Sequence, residues 1–177
     1  MKVELVAIGE ALGRDLQDLA ARITEVYQPL IKECEPTLEL TVPREAFNPD
    51  RGQYRASDVL RYLEESTRKS KATKILGVIG EDLYSSSLNF VFGQARCLGS
   101  VAVVSLYRLD PAFYGQNPDD KLFGDRVAKE AVHELGHTFG LKHCRNSECV
   151  MSFSNSIVDV DRKQRFFCDD CYRRIDL

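Results

Sequence analysis

The chain has 177 residues, 44% of them hydrophobic and 29% charged, with a formal net charge of −3. That is the make-up of one ordinary globular domain with a core of its own, and its slightly acidic balance carries no nucleic-acid footprint. No stretch approaches the ~18 apolar residues of a membrane span. The start, MKVELVAIGEALG, has too short an apolar run for a secretory signal, so the expected setting is cytoplasmic.

The apolar run at 3–9 reads as a strand. Over 11–27, Leu12, Leu16, Leu19, Ala20, Ile23, Val26 and Tyr27 recur on one helical face. Residues 37–43 alternate at period two, as a half-buried strand does. The prolines and glycine of 43–54 predict a loop. Ser57 and Asp58 open a second helix whose Val59, Leu60 and Leu63 face inward. Further strands follow at 74–80, at 87–95 and at 101–107. The sum is a βαβαβ pattern extended by two strands. It predicts an α/β (α+β) domain with a mostly parallel five-stranded twisted sheet and packed helices. The runs at 3–9, 74–79 and 101–106 suit central strands, whereas 87–95, more polar and broken by glycine, suits an edge. After a loop at 109–118, Asn117 as cap and Pro118 at the first helical position start a helix over 118–139, which Gly140 stops.

All three histidines fall within HELGHTFGLKHC, residues 133–144. His133 and His137 are four apart, so on a helix both rings leave the same face and can reach one Zn²⁺ at about 2.0–2.1 Å. Glu134 then leaves the helix beside the metal, where a general base belongs: it takes a proton from a water whose pKa the metal lowers to about 7. The turn at Gly140 lets His143 point back as a third ligand, leaving the fourth position open.

The cysteines form a second pattern. Cys144 and Cys149 have four residues between them, and Cys168 and Cys171 have two. In a reducing compartment two such pairs read as a closed four-thiolate structural zinc site. Disulfides, and a redox pair at Cys168 and Cys171, are the alternatives. Cys34 and Cys97 stand apart and read as buried free thiols. Arg162, Lys163, Arg165, Arg173 and Arg174, interleaved with acids, read as solvated helix surface.

Together these motifs resemble the metzincin metallopeptidases and, more narrowly, the archaemetzincins. His133, Glu134, His137, Gly140 and His143 match the family pattern HExxHxxGxxH, Met151 suits the methionine of the turn beneath the metal, and HCRNSECVM with CDDC follows the archaemetzincin order. The resemblance implies a mixed five-stranded sheet with one antiparallel strand at the edge of the cleft. It also implies that Phe153, Ser154 and Asn155 wall the pocket on the leaving-group side. Phe153 stands where some metzincins carry a tyrosine, so that tyrosine's role has no counterpart here. The expected organisation is a subdomain over 1–140 ending in the active-site helix, and a zinc-stabilised one over 141–177 carrying the Met-turn. The expected function is a monomeric zinc endopeptidase or aminopeptidase-like enzyme with two zinc ions per chain, acting on a peptide or protein. No nucleic acid or membrane partner is expected. The alternative is a zinc-stabilised peptide-binding module with little turnover.

Overall fold

A computed structural model describes residues 1–9, 11 and 16–175. Its main sheet has five strands, β1 (Lys2–Ile8), β2 (Glu33–Leu40), β5 (Lys74–Ile79), β7 (Gly93–Ala95) and β8 (Val101–Ser105), in the order β2-β1-β5-β8-β7. All neighbours run parallel except β7, which pairs antiparallel with β8. The three runs predicted as central are central, and the predicted edge is an edge.

These central strands read as unbroken apolar runs because successive side chains alternate between two faces that are both covered. Val3, Leu5, Ala7, Leu76, Val78, Ala102 and Val104 point to one face, where α1 (Leu16–Tyr27) and α3 (Asp120–Thr138) cover them. Val6, Ile8, Ile75, Ile79, Val101 and Val103 point to the other, under α2 (Ala56–Ser66). The apolar face predicted for α1 is buried from Leu16 to Tyr27; Leu12 lies outside the described residues. In α2, Val59, Leu60 and Leu63 are buried as expected, though the N-cap is Arg55 without a side-chain bond.

Several boundaries move for local reasons. The strand expected at 37–43 is β2, which begins earlier and includes Pro36. Proline is tolerated there because β2 is an edge strand, and its register against β1 slips just after Leu5 pairs with Pro36. The loop expected over 43–54 contains a hairpin of β3 (Phe47–Asn48) and β4 (Gln53–Arg55), joined in a small second sheet by β6 (Leu83–Tyr84). Of the strand expected over 87–95, only β7 and the carbonyl of Phe92 just before it, which accepts from Ser105 N–H at 2.8 Å, join the main sheet. The preceding residues are held by the small sheet instead: Asn89 O accepts from Arg51 Nη2 (2.9 Å) and Gln53 Nε2 (3.0 Å), and Val91 N–H donates to Leu83 O (2.9 Å).

Helix α3 starts two residues later than predicted. Its cap is Asp119, whose Oδ1 accepts from Leu122 N–H at 2.9 Å, not Asn117. It stops where predicted, with Gly140 at φ +87°. Leu141 N–H reaches Gly136 O (3.1 Å) and Gly140 N–H reaches His137 O (2.9 Å), the paired bonds of a left-handed glycine stop. The tail carries two short helices, α4 (Ile157–Arg162) and α5 (Asp169–Tyr172). Arg126 of α3 fastens it with two bonds to Asp161, at 2.7 and 2.8 Å. Among the described residues no helix is long and apolar enough to cross a membrane.

Candidate metal centre and cleft

His133, His137 and His143 meet in one cluster, with ring centroids 4.7–5.3 Å apart. Their hydrogen bonds decide which ring nitrogens are left as lone pairs. His133 Nδ1 lies 2.8 Å from Val150 O, and His137 Nδ1 lies 2.7 Å from Leu141 O. A carbonyl only accepts, so each Nδ1 carries the proton and donates. In a neutral ring the Nε2 is then a bare lone pair. Burial keeps all three imidazoles below their ordinary pKa, His133 furthest, with the Lys163 ammonium adding to the effect. The Nε2 atoms of His133 and His137 face each other at 3.1 Å, with no hydrogen between them. Two lone pairs at that distance repel, and a cation between them turns repulsion into coordination. Two nitrogens about 2.0–2.1 Å from one tetrahedral ion stand roughly 3.3–3.4 Å apart, so the residues fit a zinc-sized ion.

The four clustered cysteines fit a second one. The Sγ atoms of Cys144, Cys149, Cys168 and Cys171 all lie within 4.8 Å of one another, and Cys144 and Cys168 are 3.8 Å apart. A tetrahedron with Zn–S near 2.3 Å has sulfurs about 3.8 Å apart. All six cysteines are free thiols. Backbone N–H groups already point at two sulfurs, Asn146 at Cys144 (3.4 Å) and Cys168 at Cys149 (3.3 Å). The two lone cysteines differ from expectation. Cys34 is only partly buried, and Cys97 is exposed in the turn after β7, at the margin of the cleft.

One loop serves both clusters. Met151 is fully buried beneath α3, its sulfur against Gly136, where any side chain would collide with it. Three successive carbonyls of this turn are engaged. Val150 O takes His133, Met151 O takes the N–H of Cys144 at 2.8 Å, and Ser152 O lies 3.5 Å from Lys163 Nζ.

The histidines open onto a cleft of about 320 Å³ between β7 and the residues after Met151. Leu88, Phe90 and Phe92 line one wall; Phe153, Ser154 and Asn155 line the other. The ring of Phe153 lies 5.0 Å from that of His143. Glu134 faces the cleft, and burial, reinforced by the charge of Glu130 and opposed by Lys163, holds its carboxyl well above the ordinary range. The edge strand lies directly on it: a Cβ added at Gly93 would come within 2.6 Å of Glu134 Cγ.

The sequence reading missed two residues here. Glu130 lines the cleft one turn before Glu134, a spacing visible in the sequence. Lys163, expected on a solvated helix surface, is instead 1% exposed, with Nζ 2.8 Å from Glu130 Oε1. Nothing in its sequence context signals burial; the α4–α5 connection folds it under α3. Arg165 is partly buried, paired with Glu25 at 2.8 Å.

Comparison with known proteins settles the family. Residues 4–177 match the model of peptidase family M54. The chain belongs to peptidase family M54. Within this metallopeptidase family it is 42% identical to an archaemetzincin of Pyrococcus furiosus over 174 residues, 97% of this chain and 91% of that one. A crystal structure of archaemetzincin from Methanopyrus kandleri matches with a TM-score of 0.86 and 42% identity, covering 99% of this chain and 93% of that one. One from Archaeoglobus fulgidus, complexed with malonate, matches with a TM-score of 0.82 and 36% identity, covering 98% and 99%. The mixed, mostly parallel five-stranded sheet with its C-terminal cysteine cluster is thus the fold of these M54 relatives.

Proposed function

We propose that this M54 member is a zinc peptidase in which His133, His137 and His143 hold the catalytic ion and Glu134 is the general base. The convergence of imidazole lone pairs beside a buried carboxylate in an open cleft carries this reading. When bound, the ion supplies Lewis acidity toward a carbonyl oxygen and makes water easier to deprotonate. The chain's own residues do the rest. A peptide lies extended along β7, adding main-chain hydrogen bonds to an open sheet edge. Glu134, held under Gly93, takes the proton from the attacking water and delivers it to the leaving amine. The apolar walls at Phe90, Phe92 and Phe153 exclude water from the reacting bond.

Cys144, Cys149, Cys168 and Cys171 hold a second, structural zinc that closes the subdomain over 141–177 onto the one over 1–140. The free thiols fit a reducing, cytoplasmic setting, and we read the protein as a monomer acting on peptides rather than on nucleic acid or membrane. The test is cleavage of a proteome-derived peptide library by wild type and Glu134→Ala, with zinc content measured in both. Expected is cleavage by wild type alone at equal zinc. Equal cleavage by both proteins removes Glu134 from the mechanism. No cleavage by zinc-loaded wild type leaves a peptide-binding module. The products also separate internal cleavage from removal of N-terminal residues.

A further inference from the structure

Lys163 is a fully buried ammonium next to a site built for a dication. Its Nζ stands 3.5 Å from His133 Nδ1, 3.5 Å from Ser152 O and 2.8 Å from Glu130 Oε1. Glu130 is equally buried, with 3% of its side chain exposed. The approach of Nζ is off the hydrogen-bonding direction, so Oε1 forms an ion pair but no directed bond. Burying two charges carries a desolvation cost that their mutual attraction often fails to repay, and an apolar pair of equal volume often serves stability as well. A positive charge at this position also opposes the binding of a metal cation. Neither stability nor attraction for a metal ion accounts for the pair.

Its connections do. Glu130 lies on α3, one turn before Glu134 and three residues before His133. Ser152 lies on the turn whose Val150 carbonyl fixes the outer nitrogen of His133. Lys163 is the side chain that touches both. We propose that Lys163, anchored by Glu130, is a positioning residue. It clamps the Met151 turn to the metal-site helix and so keeps the Val150 carbonyl aligned on His133. This rests on the reading that the three histidines hold a metal.

The test compares wild type, Lys163→Met, Glu130→Gln and the double variant, each with the four-thiolate site loaded. It reads zinc affinity at the histidine site by chelator competition, together with the melting temperature. If charge alone mattered, Lys163→Met would bind zinc more tightly, Glu130→Gln more weakly, and the double variant like wild type. Positioning predicts weaker binding in all three, by roughly 10–100-fold, as for other groups that orient a metal ligand. The double variant keeps no buried charge unpaired, so it is expected to fold even where a single variant does not. Weakened zinc binding in a double variant that melts like wild type supports the inference. Recovery of wild-type affinity in the double variant, or tighter binding by Lys163→Met, overturns it. Wild type that takes up zinc only at the cysteines would instead overturn the histidine-site reading itself.

Discussion

Gly93→Ala tests whether the edge strand and Glu134 touch as closely as they do here. The added Cβ would stand 2.6 Å from Glu134 Cγ, 2.8 Å from its Oε1 and 2.6 Å from the carbonyl oxygen of Val103. The glutamate can swing away, but only by leaving its place over the cleft. The Val103 oxygen belongs to the neighbouring central strand and cannot give. Restoring ordinary contact near 3.5 Å therefore asks for a displacement of roughly 0.9 Å, shared between β7 and the carboxylate. Overpacking on this scale costs about 1–3 kcal/mol, a fall of about 2–12 °C in melting temperature for a chain of this size. A general base misplaced by about 1 Å loses on the order of 10²-fold in rate. Calorimetry and kcat/KM on a cleaved peptide, at matched zinc content, measure both. Gly124→Ala is the comparison. It sits within α3 with nothing nearer than 3.9 Å, and should add about 0.5–1 kcal/mol of stability at unchanged activity. A Gly93→Ala enzyme with wild-type kcat/KM and melting temperature would refute the contact and the role drawn from it.

The Cys144 N–H bond to Met151 O links the two clusters, so Cys144→Ser should weaken zinc at the histidine site although Cys144 is no part of it. Chelator competition that finds unchanged affinity there would show the sites to be neighbours only. At about pH 8, iodoacetamide should label the exposed Cys97. It should spare Cys34, whose thiol burial pushes up to about 12, and mass spectrometry of the peptides decides. In the metal-free protein the unfolded chain takes up imidazole protons near pH 6.5, before the buried, depressed histidines do. Stability should therefore be full above about pH 6.5 and fall as the pH drops below it. Glu134, with its raised value, acts in the opposite direction. Metal-free Glu134→Gln isolates the histidines and should melt lower at about pH 5 than at pH 7; a flat profile contradicts neutral buried imidazoles.

What the sequence showed and what it hid divide along physical lines. Apolar runs and helical periodicity record burial against one neighbour, so the central strands and the inner face of α1 were legible. The histidine and cysteine spacings were legible because each motif is local: His133 and His137 share one helix face, and each cysteine pair spans only a few residues. Where a segment serves two partners, pattern misleads. Residues 87–95 alternate like a strand, yet Asn89 is drawn away by Arg51 and Gln53 and Val91 by Leu83 of the small sheet. Lys163 was hidden for a related reason. A lysine carries no mark of burial, and its partner Glu130 is 33 residues away in sequence and on another element.

The chain has three histidines, and all three stand in one cluster. Every imidazole proton in a nuclear magnetic resonance spectrum therefore comes from the candidate metal centre, with no background from elsewhere in the molecule. Loading, acidification and inhibitor binding can each be followed there ring by ring. The protein carries its own reporter at the one place where its chemistry is to be judged.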